Sequence, residues 1–208
     1  MNSSDAAGDH PSPSKPAEQT TPVQVTPDTE PGWSSLSRPW WSSLSTERLT
    51  IVRLRVPWDI HIAALNDREH MRFSEQRRTR HDRKSQLEYI DSAGEDLLLL
   101  DLRTPKDFFT SIGSMSCHLD HDNRVADLGI MIVPRECGKN YAREAWTAVM
   151  NYWLIQGYKV EGGCMAENFA MRNVMYHAGM ELEGTRVGHF LLDDGTRADA
   201  VLYGRVPK

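Results

Sequence analysis

No run of 18 or more apolar residues occurs in the 208-residue chain, so no segment matches a bilayer-crossing helix. The first residues lack the apolar core of a secretory signal, and they lack the Arg-rich, acid-poor make-up of a transit peptide. Cysteine is scarce. Cys117, Cys137 and Cys164 make an odd count without paired spacing, which argues against a disulfide scaffold and a CxxC zinc site. A reducing cytoplasm is the expected location, and no metal is expected. Cationic excess is also absent: 24 Lys and Arg stand against 29 Asp and Glu, a net charge of −5, so bulk charge does not point to nucleic acid. Neither GxxxxGK[ST] nor GxGxxG is present.

What is present divides unevenly. Six of the eleven prolines lie in the first 32 residues, with four Ser, four Thr and only Met1, Val23 and Val25 as large apolar residues. Such a stretch buries too little apolar surface to offset the entropy of ordering it. Five acids against Lys15 give it −4 of the net −5, leaving about −1 for the rest. Residues 33–47 form a transition in which Trp33, Trp40 and Trp41 read as docking onto the folded part. The expected organisation is a disordered leader over residues 1–45 and one domain over 46–208.

Within the domain the pattern alternates between strand and helix. Leu49 to Val56 is a β-branched, partly alternating run. A helix is expected around Ile60 to Met71, and another around Leu87 and Ile90. Leu97–Leu102, Phe108–Leu119 and Ala126–Val133 read as strands, the last two joined by the turn residues Asp120-His121-Asp122-Asn123. A helix with Ala142, Ala145, Trp146, Val149, Met150, Trp153 and Leu154 on one face follows, ended by Gly157. Val160–Met165 is a short strand. Asn168 can cap a second helix that Gly179 closes. Asp193-Asp194-Gly195 marks a hairpin between Gly188 and Val206. The sum is an α/β chain of six or seven strands and about four helices.

The junction at Cys137 to Ala142 carries the clearest chemistry. A polar loop there joins a buried strand to a long amphipathic helix. The free N–H groups and positive dipole end of a helix N-terminus bind phosphate without a Lys or Arg side chain. Gly138 permits close backbone approach, and Asn140 tolerates positive φ. Many ordinary turns have the same shape, so the loop alone leaves a phosphate site open.

The surrounding segments narrow the choice. Gly138-Lys139-Asn140-Tyr141-Ala142-Arg143-Glu144-Ala145 resembles the acetyl-CoA loop of the GNAT superfamily of N-acyltransferases, R-G-K-G-Y-A-x-E-A in one branch. Cys164-Met165-Ala166-Glu167-Asn168 with Val174 to Met180 resembles that branch's N-x-x-S…V-L-x-x-x-G-F segment. Thr46-Glu47-Arg48-Leu49 resembles its opening strand, and Ala126-Asp127-Leu128-Gly129 stands where A-E-I-G is usual. Glu183-Gly184, His189 to Asp193 and Val201 to Gly204 resemble its closing hairpin. Five motifs in order, over residues 46–206, are similar to the RimJ/RimL-type acetyltransferases.

The resemblance implies the GNAT fold, a mixed central sheet with a V-shaped split between two parallel strands, here Leu128–Val133 and Val160–Met165. It implies acetyl-CoA as cosubstrate. Backbone groups of Met131, Ile132 and Val133 would hold the pantetheine and polarise the thioester. Cys137, Gly138, Lys139, Asn140, Tyr141 and Ala142 would hold the pyrophosphate, and Asn168 would contact the CoA arm. An amine on a small molecule, an amino sugar or a protein N-terminus would attack the acetyl carbon directly. A homodimer is left open. Direct transfer needs no acyl-enzyme, so Cys137 is not expected to be a nucleophile.

One departure is sharp. The family often protonates the leaving thiolate with a Tyr four residues before the second helix's Gly or with the Ser of N-x-x-S; here Met175 and Met171 stand there. Tyr176 is one residue later and points about 100° away on a helix. A thiolate is a tolerable leaving group, and acid assistance is typically worth about 10²–10⁴-fold. The candidate bases are Asp127 and Glu75, each also readable as a solvated charge, with His189 and Tyr203 behind them. Arg77, in the basic run to Lys84, and His189 are candidate acceptor contacts, although such a run also reads as a solvated face. The competing function is an acyl-CoA-binding module with little catalysis, a sensor or partner protein.

Overall fold

The structure is a computed structural model that describes residues 24–25, 43–94, 96–105 and 107–208. The expected leader lies almost wholly outside the described residues, and so do Trp33, Trp40 and Trp41. Along the chain the elements are β1 (Gln24–Val25), β2 (Ser43–Ser45), β3 (Thr50–Arg53), α1 (Asp59–Leu65), α2 (Arg83–Ser92), β4 (Leu97–Thr104), β5 (Asp107–Asp120), β6 (Val125–Ile132), α3 (Tyr141–Ile155), β7 (Lys159–Met165), α4 (Phe169–His177), β8 (Glu181–Leu191) and β9 (Arg197–Arg205).

The nine strands form one sheet in the order β1-β2-β3-β4-β5-β6-β7-β9-β8. Two or three more strands are present than the six or seven expected. β1 and β2 are two and three residues long, too short to show alternation. Ser43–Ser45 fall on the leader side of the expected boundary, yet Leu44 between them is only 1% exposed. The helix expected to reach Met71 stops at Leu65. Asn66 then turns its side-chain amide onto the carbonyls of Ile62 and His81, and residues 67–80 continue as turns.

Every neighbouring pair is antiparallel except β6 and β7. These two pair only at Val125↔Lys159, Ala126↔Val160 and Asp127↔Glu161. Beyond that rung β6 stays with β5 as far as Ile132, and β7 runs with β9 as far as Met165. The sheet therefore splits immediately after Asp127 and Glu161.

Burial explains the layers. Leu98, Leu100 and Leu102 of β4 lie in one core with Trp146, Val149, Met150 and Trp153 of α3. The opposite face of β4 holds the fully buried Asp101, which accepts from Trp58 Nε1 at 2.9 Å and from Arg103 Nε at 2.8 Å. Beside it His61 of α1 meets Ser111 Oγ at 2.6 Å. α3 buries six side chains, five on the expected stripe and Ala148 beside it, and Gly157 at φ 81° lets the chain leave it. Among the described residues no helix is long and apolar enough to cross a membrane.

Candidate active site

The split opens into a cleft of about 1510 Å³ that runs from the start of α3, past the splayed strands, to the turns around Ser74–Gln76 and the β8–β9 hairpin. Its two ends differ in chemistry.

At one end Asn140 takes φ 65° as the N-cap of α3 without a side-chain cap, and Gly138 takes φ 77°. No carbonyl among the described residues accepts from the N–H groups of Gly138, Lys139, Asn140, Tyr141, Ala142 or Arg143. A Cβ on Gly138 would meet nothing within 4 Å, so the space beside this loop is open. The arrangement is a row of unspent donors at a positive helix end, suited to a pyrophosphate. Glu144, in the first turn of α3, fixes the row from behind. Its carboxylate accepts from Thr46 Oγ1 at 2.5 Å, Arg48 N at 2.9 Å and Arg48 Nε at 2.7 Å. Arg48 also donates to the Lys139 carbonyl at 3.0 Å and lies over the Tyr141 ring. Thr46-Glu47-Arg48-Leu49 and Ala142-Arg143-Glu144-Ala145 are thus two ends of one clamp.

The expected cofactor residues do not all face the cleft. Met131, Ile132, Cys137, Gly138, Asn140, Tyr141, Ala142 and Asn168 line it. Val133 is fully buried away from it, and the Lys139 ammonium is turned to Glu136 at 2.9 Å. Asn168 caps α4 by accepting from Met171 N at 3.1 Å. The Cys137 thiol lies 3.6 Å from the carbonyls of Ile132 and Val133. Burial, then the Glu136 charge, pushes its pKa up, so it is no ready nucleophile.

At the other end carboxylates gather. Asp127 lines the cleft with Glu75, Glu161 and His118. His118 and Glu161 are missing from the residues picked out in the sequence. Register brings them in: His118 of β5 pairs with Asp127 of β6, and Asp127 pairs with Glu161 of β7. Loss of hydration raises the Asp127 pKa, and the charges of Glu161 and Glu75 raise it further against an opposing effect of His118. Glu161 and Glu183 share Lys159, at 3.2 and 2.7 Å. His189 also lines this end. Arg77 does not: its guanidinium donates to the Leu191 carbonyl at 2.5 Å and the Ser74 carbonyl at 3.1 Å, and it lies over the Phe190 ring. Arg78 joins it, pairing with Asp193 at 2.7 Å and donating to the Leu191 carbonyl at 3.0 Å. These two arginines tie the Glu75 turn to the hairpin tip.

The α4 side lacks the usual hydroxyls. Met171 lines the cleft, Met175 is fully buried, and Tyr176 is 68% exposed away from the cleft. Among the described residues no group of three or more His, Cys, Asp or Glu is placed to hold a metal ion.

Residues 48–181 match the family model described as acetyltransferase (GNAT) domain. Among solved structures, spermidine N-acetyltransferase from Vibrio cholerae, in complex with CoA and spermine, superposes with a TM-score of 0.68 at 18% identity, over 78% of this chain and 97% of that one. The acetyltransferase from Salmonella typhimurium that modifies the N-terminal serine of ribosomal protein L7/L12 gives 0.61 at 15% identity, over 78% and 97%. The microcin C7 self-immunity acetyltransferase MccE, in complex with acetyl-CoA and AMP, gives 0.66 at 16% identity, over 77% and 93%. At these identities the likeness is one of fold. Comparison with curated protein sequences gives no significant match.

Proposed function

The chain belongs to the acetyltransferase (GNAT) domain family, and from that premise we propose that it moves an acetyl group from acetyl-CoA to a primary amine, on a small molecule, an amino sugar or a protein N-terminus, in the manner of the RimJ/RimL-type branch. The carrying observation is the place where the sheet splits. The last β6–β7 rung, Asp127↔Glu161, stands between an unspent row of backbone donors on one side and a carboxylate-lined pocket on the other.

The donor row from Gly138 to Ala142 holds the pyrophosphate of acetyl-CoA, and the edge of β6 that parts from β7, up to Ile132, lies along its arm. The thioester then sits near the split. An amine arrives mainly as its ammonium form, which the charges of Asp127, Glu161 and Glu75 attract. Asp127 takes a proton from it. Its raised pKa suits that task, because a base works best when its pKa approaches the operating pH. The neutral amine attacks the carbonyl carbon and the thiolate leaves, with no covalent enzyme intermediate.

The test is release of CoA from acetyl-CoA with peptides, amino sugars, polyamines and aminoglycosides as acceptors. Acetylated product from at least one class is expected. Gly138→Glu is expected to weaken acetyl-CoA binding strongly, since it places a carboxylate and a strained φ at the donor row. Tight CoA binding with no turnover on any class would instead make the chain a CoA-binding module.

A further inference from the structure

The catalytic reading leaves the leaving group without a proton donor on α4, and the structure supplies another candidate. Tyr203 of β9 pairs with Gly162 of β7, the residue just past the Asp127↔Glu161 rung. Its side chain therefore lies on the sheet face opposite Asp127 and Glu161, because successive strand residues alternate. Gly162 confirms which face that is: a Cβ there would come within 2.8 Å of Trp146 on α3. Tyr203 is 7% exposed and lines the cleft with Met171, Val174 and Cys164.

Its hydroxyl is oriented by a neighbour. Arg172 of α4, whose guanidinium donates to the Ala166 carbonyl at 3.0 Å, interacts with the Tyr203 hydroxyl, and that contact is the foremost cause of the raised Arg172 pKa. Arginine can only donate, so toward Arg172 the phenol oxygen acts as an acceptor and its O–H is not spent there. Two other donors on the cleft wall are committed or distant. The Cys164 thiol faces the Asn168 carbonyl, with its pKa pushed up to about 11 by burial. Tyr141 lies under Arg48 at the start of α3.

Resting on the acetyltransferase reading above, we infer that Tyr203 is the catalytic acid that protonates the departing thiolate of CoA, in place of a hydroxyl on α4, and that Arg172 positions it. Base and acid then approach the thioester from opposite faces of the sheet through the split. The ammonium gives one proton to Asp127, which passes it to solvent. The C–N bond forms and the C–S bond breaks, its electron pair going to sulfur, which takes the phenol proton. The amide nitrogen sheds its surplus proton, and this returns the phenolate to phenol through water.

The experiment compares the full chain with Tyr203→Phe in steady-state turnover of whichever amine it accepts. Tyr203→Phe is expected to lower kcat by about 10²-fold, to leave acetyl-CoA affinity unchanged by calorimetry, and to abolish the basic limb of the kcat–pH profile. Adding Met171→Ser, a hydroxyl on α4, to that variant is expected to restore at least tenfold of the loss. Arg172→Leu, which leaves the buried ring in place, is expected to lower kcat several-fold with acetyl-CoA affinity unchanged, and Arg172→Lys, which keeps a donor beside the phenol, to recover most of that loss. Turnover of Tyr203→Phe within twofold of the unaltered chain, or an unchanged kcat in Arg172→Leu, overturns the assignment while the acetyltransferase reading stands. Absence of turnover by the unaltered chain sinks both.

Discussion

The two ends of the cleft are built on opposite plans. The cofactor end rests on one contiguous segment, Pro134 to Ala145, backed by a half-buried carboxylate with several charge-assisted hydrogen bonds. The acceptor end is assembled from β5, β6, β7, an irregular turn and a hairpin tip, and its fastening is mostly exposed. A shared cosubstrate demands a fixed mould. An acceptor that differs between relatives is served by loops, whose shape and sequence change at little cost to the core.

The sharpest test of this contrast is chemical. Asp127→Asn is expected to lower kcat/KM by about 10²–10⁴-fold while leaving acetyl-CoA affinity intact, so the loss falls wholly on the acceptor end. The sign of the pH effect follows from the raised pKa. With Asp127 as the proposed base, only its ionised form works, so the acidic limb of kcat/KM is expected above the ordinary carboxylate value of about 3.9. Glu161→Gln removes a neighbouring negative charge and moves the limb to lower pH. An equal loss of acetyl-CoA binding in Asp127→Asn would break the division between the two ends.

The second test loads the cofactor end. Glu144→Ala strips Thr46 Oγ1, Arg48 N and the Arg48 guanidinium of their acceptor. Water can reach the exposed Arg48 groups, so the loss is about 1 kcal/mol. Thermal denaturation should show the loss of stability, and calorimetry a weaker affinity for acetyl-CoA, with the acceptor KM unchanged. A shift in acceptor KM of equal size would mean that the clamp holds the whole cleft.

The same contrast governs what could be read from the sequence. The α3 stripe, the Gly157 and Gly179 exits, the Asn168 cap and the open donor loop are all local, and each was expected at its observed place. That Thr46 and Arg48 hold Glu144 was hidden, because the motifs lie almost a hundred residues apart. Glu161 and His118 carry no local mark at all; only strand register sets them beside Asp127. The turns after Leu65 replaced an expected helix because Asn66 finds carbonyl partners in a distant segment. The hairpin strand β8 begins at Glu181 rather than near Gly188, since an exposed edge strand shows little alternation of burial.

The smallest effect concerns the fastening of the acceptor end. In the sequence the basic run from Arg77 to Lys84 reads as a solvated face or as a source of acceptor contacts. Arg78 instead pairs with Asp193, and with Arg77 converges on the Leu191 carbonyl. Both members of the ion pair are at least half exposed, so it contributes only about 0.2–1 kcal/mol. Arg78→Ala should therefore raise the acceptor KM a few-fold, through looser placement of Glu75, and leave kcat and acetyl-CoA affinity nearly untouched. The effect should fade in concentrated salt, which already screens an exposed pair. The reversed pair, Arg78→Asp with Asp193→Arg, should recover part of the loss. Arg77 keeps the turn in contact with the hairpin throughout, because its bonds run to carbonyls and an aromatic face that salt does not screen away. If Arg78→Ala altered acetyl-CoA binding as much as acceptor binding, the fastening would belong to the domain as a whole, and the two ends would not be separable.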